Sequence, residues 1–312
     1  MAPVVDYGGC VLPLLDVTDE VITALDENRP VVALESTIIS HGLPRPDNLA
    51  AAQRFEQILR DAGVVPATIA VLDGRLKAGL TPTDLDRIVN EDIAKLSVRD
   101  LPIAMGRGDS GATTVAATSF IADLAGVRVF ATGGLGGVHR GASETFDESA
   151  DLSVLSQVPV TVVSAGVKSI LDIGATLERL ETLSVPVVGY RTNRFPSFWL
   201  TESEHDLDWS VDGPEQVAAI MNARDELKQR SGIVVANPLP VDQQLDPAVH
   251  DRALDEALRR ADDQGLAGKE VTPFLLQTIV DITGGESLAV NLKIAENNIR
   301  VAADIARAWA SR

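Results

Sequence analysis

Apolar residues fall in two rhythms along this chain. Short continuous runs, VVALEST (Val31 to Thr37), ATIAVLDG (Ala67 to Gly74), VRVFATGG (Val127 to Gly134), VPVTVVSAG, VPVVGY and GIVVANP (Gly232 to Pro238), are rich in β-branched residues and bounded by Gly or Pro. Runs of that length read as strands buried on both faces, as in a parallel sheet. Between them apolar positions recur at helical spacing. Thr18 caps one predicted helix, which ends before Pro30. Another starts at Asp47 and ends at Gly63, with Leu49, Phe55 and Leu59 on its apolar side. Gly111 to Gly126 reads as a helix closed by its final glycine, and a further helix is predicted to begin near Lys168. After Asp246 the pattern is helical, near 247–264, 272–282 and 286–310. RLKAGL returns as a hairpin partner of the 67–74 strand, and Leu101 to Met105 is short and apolar.

Strand and helix alternate as in βαβ units. The expected architecture is α/β, one large domain over 1–312 with helices packed on a mainly parallel sheet. The least regular stretch, about 191–213, holds Phe195, Phe198, Trp199 and Trp209. It reads as a lid, an interface loop or an ordinary surface connection.

Composition narrows the function classes. Aromatics are scarce, so Ala, Val, Leu and Ile build the core. The formal net charge of −18 argues against nucleic acid and anionic membranes as partners. An anionic small substrate would need a local basic pocket. A single cysteine, Cys10, rules out an internal disulfide and suits a reducing compartment. No apolar run approaches a membrane span, and the N-terminal region lacks the marks of a signal peptide. The expectation is a cytoplasmic protein.

VSAGVKSILDIG carries the most chemical information. It places Lys168 at the carboxyl end of a predicted parallel strand, where open α/β sheets bind ligands. A partly buried amine there can lose its proton and attack a sugar or ketone carbonyl, giving a Schiff base. A lysine that grips phosphate or points into water fits the same position. Glu35, inside ALESTIISHGLPRP, faces desolvation unless paired, which raises a carboxylate's pKa and suits it to general acid work. A solvated or salt-bridged strand-end glutamate is the plainer reading, and His41 beside it reads as a bystander in a turn.

The run FATGGLGGVHRGASETFDESADL follows a strand with Gly133, Gly134, Gly136 and Gly137. Such a loop lets backbone N–H groups approach an anion, although its spacing is not the dinucleotide fingerprint. His139 and Arg140 add polar reach. Asp147, Glu148 and Asp151 are hard oxygen donors suited to Mg²⁺ or Mn²⁺, or else an acidic helix start. GATTVAATS suggests a helix N-terminus able to hold phosphate, with Thr113 and Thr114 as helpers or plain caps.

Taken together, these segments, with KLSVRDLP, GKEVTPFLL and TGGESLAVNLKIAENN, resemble the pseudouridine-5′-phosphate glycosidase family over roughly residues 30 to 300. The likeness is weakest between Arg191 and Gln229. It implies an α/β/α sandwich, a homotrimer, a divalent metal (typically Mn²⁺) and reversible cleavage of pseudouridine 5′-phosphate to uracil and ribose 5-phosphate. It also implies roles: Lys168 as Schiff-base nucleophile, Glu35 as proton donor and Asp147 as metal ligand. Lys95, Val115, Ser149, Ala150 and Asp151 are the implied substrate contacts, with His139 and Asn291 as accessory ones. Lys95 and the helix start at Thr113 would hold the 5′-phosphate. Two other classes remain at this stage. A lysine-dependent sugar-phosphate lyase such as an aldolase would release no uracil. A non-catalytic nucleotide- or sugar-binding protein would survive loss of Lys168.

Overall fold

A computed structural model describes residues 14–266 and 271–312. Cys10 and the start of the Val11 to Leu15 run lie outside the described residues. In chain order the first half holds β1 (Leu15–Val17), α1 (Asp19–Asp26), β2 (Val31–Leu34), α2 (Thr37–His41), α3 (Asp47–Asp61), β3 (Val65–Leu72), β4 (Arg75–Ala78), α4 (Pro82–Asn90), β5 (Ala94–Leu96), α5 (Leu101–Arg107), β6 (Gly111–Thr113), α6 (Val115–Leu124) and β7 (Val129–Ala131). There follow α7 (Ala142–Thr145), α8 (Ala150–Leu155), β8 (Thr161–Ser164), α9 (Ile173–Thr182), β9 (Val187–Tyr190), β10 (Ser210–Val211), α10 (Pro214–Glu226), β11 (Ile233–Ala236), α11 (Pro247–Asp263), α12 (Val271–Ile282) and α13 (Glu286–Ala310).

The strands form one sheet in the order β1-β4-β3-β2-β7-β8-β11-β9-β10, with β6 on β3 and β5 on β6. Pairing is parallel throughout the centre. Only β3 with β4 and β3 with β6 run antiparallel, and the first of these is the expected RLKAGL hairpin. Alternate side chains of the central strands enter opposite cores. Ala33, Phe130, Val162 and Val234 face one. Val32, Val129, Val163 and Val235 face the other. The first core is closed by α1, α5, α6, α8, α11 and α12, and the second by α3, α4 and α10. Helix α13 joins both, through Val290 and Ile294 on one side and Ile299 to Ala306 on the other. This is the three-layer sandwich. No helix among the described residues is long and apolar enough to cross a membrane.

Three element boundaries differ from the pattern reading, and the first two bear most directly on the site. The helix expected near Lys168 begins at Ile173, because Asp172 is its cap and accepts from the Ala175 N–H at 2.9 Å. Lys168 therefore sits in a turn, held by its own N–H to the Leu135 carbonyl at 3.1 Å. Likewise Gly111 to Thr113 is strand, paired with β5 and β3, and the helix starts one residue past Thr114. Thr37 and His41, expected in a strand end and a turn, form the short helix α2.

The irregular 191–213 segment enters the core at 195–199. Phe195 and Trp199 are fully buried and Phe198 nearly so, while Trp209 is exposed. The Trp199 indole N–H donates to the Ser287 carbonyl at 3.1 Å, tying the segment to α13. Phe198 lies so close over Gly134 that a Cβ there would come within 2.6 Å of its ring. Residues 195–199 thus pack over the carboxyl end of the sheet, and the rest of the segment runs mostly along the surface.

Candidate active site

Strands β2, β7, β8 and β11 are neighbours, and their carboxyl ends bring Glu35, Thr132 to Gly134, Lys168 and Asn237 to one edge. Ligands of open parallel sheets bind at this edge because the chain leaves the sheet there and side chains from several strands converge.

Glu35 follows β2 directly. Its carboxylate accepts from the Thr132 hydroxyl. Ile38, Ala295 and Ile299 line a small apolar cavity at its side. Burial pushes the carboxyl above its usual range; the charge of Lys168 and the Thr132 hydrogen bond oppose this, and burial prevails. The Lys168 ammonium donates to the Gly134 carbonyl at 2.8 Å. Lys95, on β5, keeps solvent access along its side chain, yet surrounding protein and then the like charge of Lys168 hold its pKa below the ordinary lysine value. Glu35, Lys95, Lys168 and Asp151 thus share one electrostatic neighbourhood.

The glycine-rich loop meets an anion, but the anion belongs to the chain. Asp151 is buried, and its two oxygens accept from the Gly136 N–H and from the Ala116 N–H in the first turn of α6, each at 2.8 Å. A carboxylate therefore already sits where a phosphate was expected, stabilised by the same N–H groups and helix dipole. Thr113 does not serve a helix start. It is fully buried in β6, where its hydroxyl donates to the Ile69 carbonyl at 2.8 Å and accepts from Thr118 at 2.9 Å. Thr114 is the cap of α6 and Val115 its first, buried residue. Ser149 caps α8 by accepting from Asp151 N–H at 3.2 Å, and Ala150 opens that helix. His41 bonds Ser40 and the Ile93 carbonyl, as fits a bystander.

Asp147 is half-buried, with its carboxylate 3.9 Å from His139 Nδ1. Glu148 is taken by Arg179 at 2.8 Å. Among the described residues no group of three or more His, Cys, Asp or Glu side chains is gathered to hold a metal. A single carboxylate fits a divalent ion that keeps most of its waters; it does not make a closed protein shell. Asn291, on α13, has a buried Oδ1 with no protein partner. Such an acceptor is costly unless something donates to it, which a ligand N–H or O–H would do.

Three residues of the edge escape a reading by motif. Thr132 hydrogen-bonds Glu35, and the buried amides of Asn237 and Asn298 join each other at 2.9 Å. One signal was available: Asn291 and Asn298 stand seven residues apart, on the apolar face of a long amphipathic helix.

The family described as "Indigoidine synthase A like protein" matches residues 20–308. A pseudouridine-5′-phosphate glycosidase of Saccharopolyspora erythraea is 58% identical over 300 residues, covering 96% of this chain and 99% of that protein. One from Salinispora tropica is 61% identical over 94% of this chain and 91% of its own length. Among solved structures, the prealnumycin C-glycosynthase AlnA in complex with ribulose 5-phosphate superposes with a TM-score of 0.89 at 37% identity, covering 96% of this chain and 98% of that one. An indigoidine synthase A (IdgA)-like protein of Thermotoga maritima gives 0.85 at 36% identity, over 94% and 95%. With its full-length match, its sheet-edge lysine and its desolvated glutamate, the chain belongs to the indigoidine synthase A-like family, among the pseudouridine-5′-phosphate glycosidases.

Proposed function

We propose that this protein is a pseudouridine-5′-phosphate glycosidase that works through a Schiff base on Lys168. The observation that carries the reading is the juxtaposition of Lys168 with a Glu35 whose pKa burial raises, at one sheet edge. A carbon–carbon glycoside has no leaving oxygen to protonate, so the usual pair of glycosidase carboxylates offers little. A lysine amine does. Its nitrogen bonds to C1 of the sugar while the C1–O4 ring bond breaks and the ring oxygen takes a proton. Glu35 then delivers a proton to the base carbon. The nitrogen lone pair forms C=N as the C1–base bond breaks, and those electrons restore the ring double bond of uracil. Water hydrolyses the iminium, releasing ribose 5-phosphate and the free amine.

That AlnA is a C-glycosynthase in complex with ribulose 5-phosphate supports a sugar-phosphate ligand for this chain. Lys95 and Asn291 supply a cation and a free acceptor for it. His139 and Arg140, in the loop between β7 and α7, border the same edge, and Arg140 reaches the Ser169 carbonyl at 3.4 Å. Asp147 would hold Mn²⁺ or Mg²⁺, which supplies positive charge when bound. The reading includes a homotrimer, a cytoplasmic setting and a role in pseudouridine catabolism.

The test combines product and adduct. Pseudouridine 5′-phosphate with Mn²⁺ should release uracil, and ribose 5-phosphate with borohydride should leave a reduced sugar on Lys168 alone. Lys168→Ala should abolish both with the fold intact, and Lys168→Arg should too, since guanidinium stays protonated. An adduct on another lysine, or no uracil, would overturn the assignment.

A further inference from the structure

We infer that Asn298, oriented by Asn237, is a positioning residue that holds the strand exit from which both reacting groups are aligned. This rests on the reading of Glu35 and Lys168 as the reactive pair. The pairing of β2 with β7 ends at Leu34 opposite Ala131, and the next residue on the β2 side is Glu35. From that point β2 turns away into α2, so the carbonyls that follow Ala131 lose their strand neighbour on that side. Asn298 takes its place. Fully buried on α13, it donates through Nδ2 to the Thr132 carbonyl at 2.7 Å and the Gly133 carbonyl at 3.2 Å. Its Oδ1 accepts from Asn237 Nδ2 at 2.9 Å. Asn237 is itself fixed by its backbone N–H to the Ser164 carbonyl at 2.8 Å. Carbonyls only accept, so the two on Thr132 and Gly133 determine which end of the Asn298 amide faces them.

The consequences run directly to the chemistry. Thr132, whose carbonyl Asn298 holds, donates its hydroxyl to Glu35. Gly134, adjoining the other held residue, accepts from the Lys168 ammonium. The opposite side of the segment is already laddered to the Lys168 turn, through Thr132 N–H to the Val163 carbonyl and Leu135 N–H to the Gly166 carbonyl at 3.0 and 2.9 Å. Asn298 therefore restrains the segment by hydrogen bonds from outside the two loops carrying the reacting groups, where Phe198 adds only packing on Gly134. Without its amide the Thr132 carbonyl loses its donor, the Gly133 carbonyl keeps only the Ala165 N–H at 2.9 Å, and the segment is free to shift. A displacement on the order of 1 Å costs about 100-fold in rate where geometry sets the barrier.

The experiment compares wild type, Asn298→Ala, Asn237→Ala, the double variant and Lys168→Ala on pseudouridine 5′-phosphate, with thermal melts for each. Asn298→Ala should lose at least ~10-fold in kcat with KM changed by less than about threefold. The rate of borohydride-trapped adduct on Lys168 should fall in parallel. Asn237→Ala should lose less. The double variant should be no slower than Asn298→Ala, because the two amides act as one unit. Asn298→Ala with wild-type kcat and only a lowered Tm would reduce the residue to packing and overturn the inference. Should Asn298→Ala not fold, Asn237→Ala decides: wild-type kcat there overturns it equally. An active Lys168→Ala would instead remove the reactive pair on which the inference stands, an outcome separate from the others.

Discussion

At the residue scale, Glu35 is where structure and chemistry oppose each other. Its carboxyl is held above the ordinary 4.5 because burial outweighs the attraction of Lys168. The folded chain then keeps a proton that the unfolded chain releases, so stability falls as pH rises from about 4.5 through the raised value and stays lower above it. Glu35→Gln removes the titration and keeps an acceptor for Thr132. Its Tm should exceed that of wild type at about pH 8 and match it at about pH 4, with the uracil-release rate lost at both. Wild-type kcat/KM should decline on the alkaline side as the donor ionises, and Glu35→Gln should show no such limb on its residual rate. Equal turnover by the two proteins would make Glu35 structural. Sequence alone offered the glutamate in an apolar run, but not the reason its pKa is raised. That reason lies in Ile38, Ala295 and Ile299, the last two brought from a helix some 260 residues away.

At the element scale, what was legible was whatever depends on local pattern. Strands β2, β3, β7, β8, β9 and β11 and helices α3, α11, α12 and α13 follow from runs and periodicity, because their apolar residues face cores on fixed periods. The glycine loop was visible, but its purpose depends on contacts far apart in sequence. A Cβ on Gly136 would sit 2.3 Å from Ser149 Oγ and 2.8 Å from Asp151 Oδ2. Gly136 thus lets the β7 exit and the start of α8 touch, and Asp151 bridges both to α6. Gly136→Ala should drive these apart, costing about 1–3 kcal/mol in denaturant unfolding and most of the activity. Stability unchanged by that substitution would mean the bridge carries no load. Asp147 lies on the same excursion, beside His139. Chelation by EDTA should inhibit, Mn²⁺ or Mg²⁺ should restore, and Asp147→Ala should weaken metal response and turnover together. Activity indifferent to chelator would take the ion out of the reaction. No periodicity could have shown Asn237 and Asn298 meeting, since their encounter needs the whole sheet in place.

At the scale of the molecule, the proposed function would have a chain of net charge −18 bind a phosphate dianion. The start of α6 past Thr114, the cradle suggested by pattern, is already closed by Asp151, so it does not neutralise that charge. Lys95 remains at the edge, beside Lys168, its ammonium disfavoured by burial and by that like charge. An incoming dianion would relieve both lysines at once, which is how a phosphate can be drawn into an otherwise repelling field. Binding energy from that remote group can be used to orient the sugar, so losing it should lower kcat/KM and not KM alone. Unphosphorylated pseudouridine is therefore expected to be at least ~100-fold poorer than its 5′-phosphate, equivalent to roughly 3 kcal/mol of charge-assisted hydrogen bonding. Lys95→Ala should narrow that gap by slowing the phosphorylated substrate selectively. Added salt should weaken the preference, because it screens the attraction between the dianion and the lysine at the open edge. Equal kcat/KM for the two substrates in the wild type would remove Lys95 as the phosphate contact, even with the chemistry at Lys168 intact.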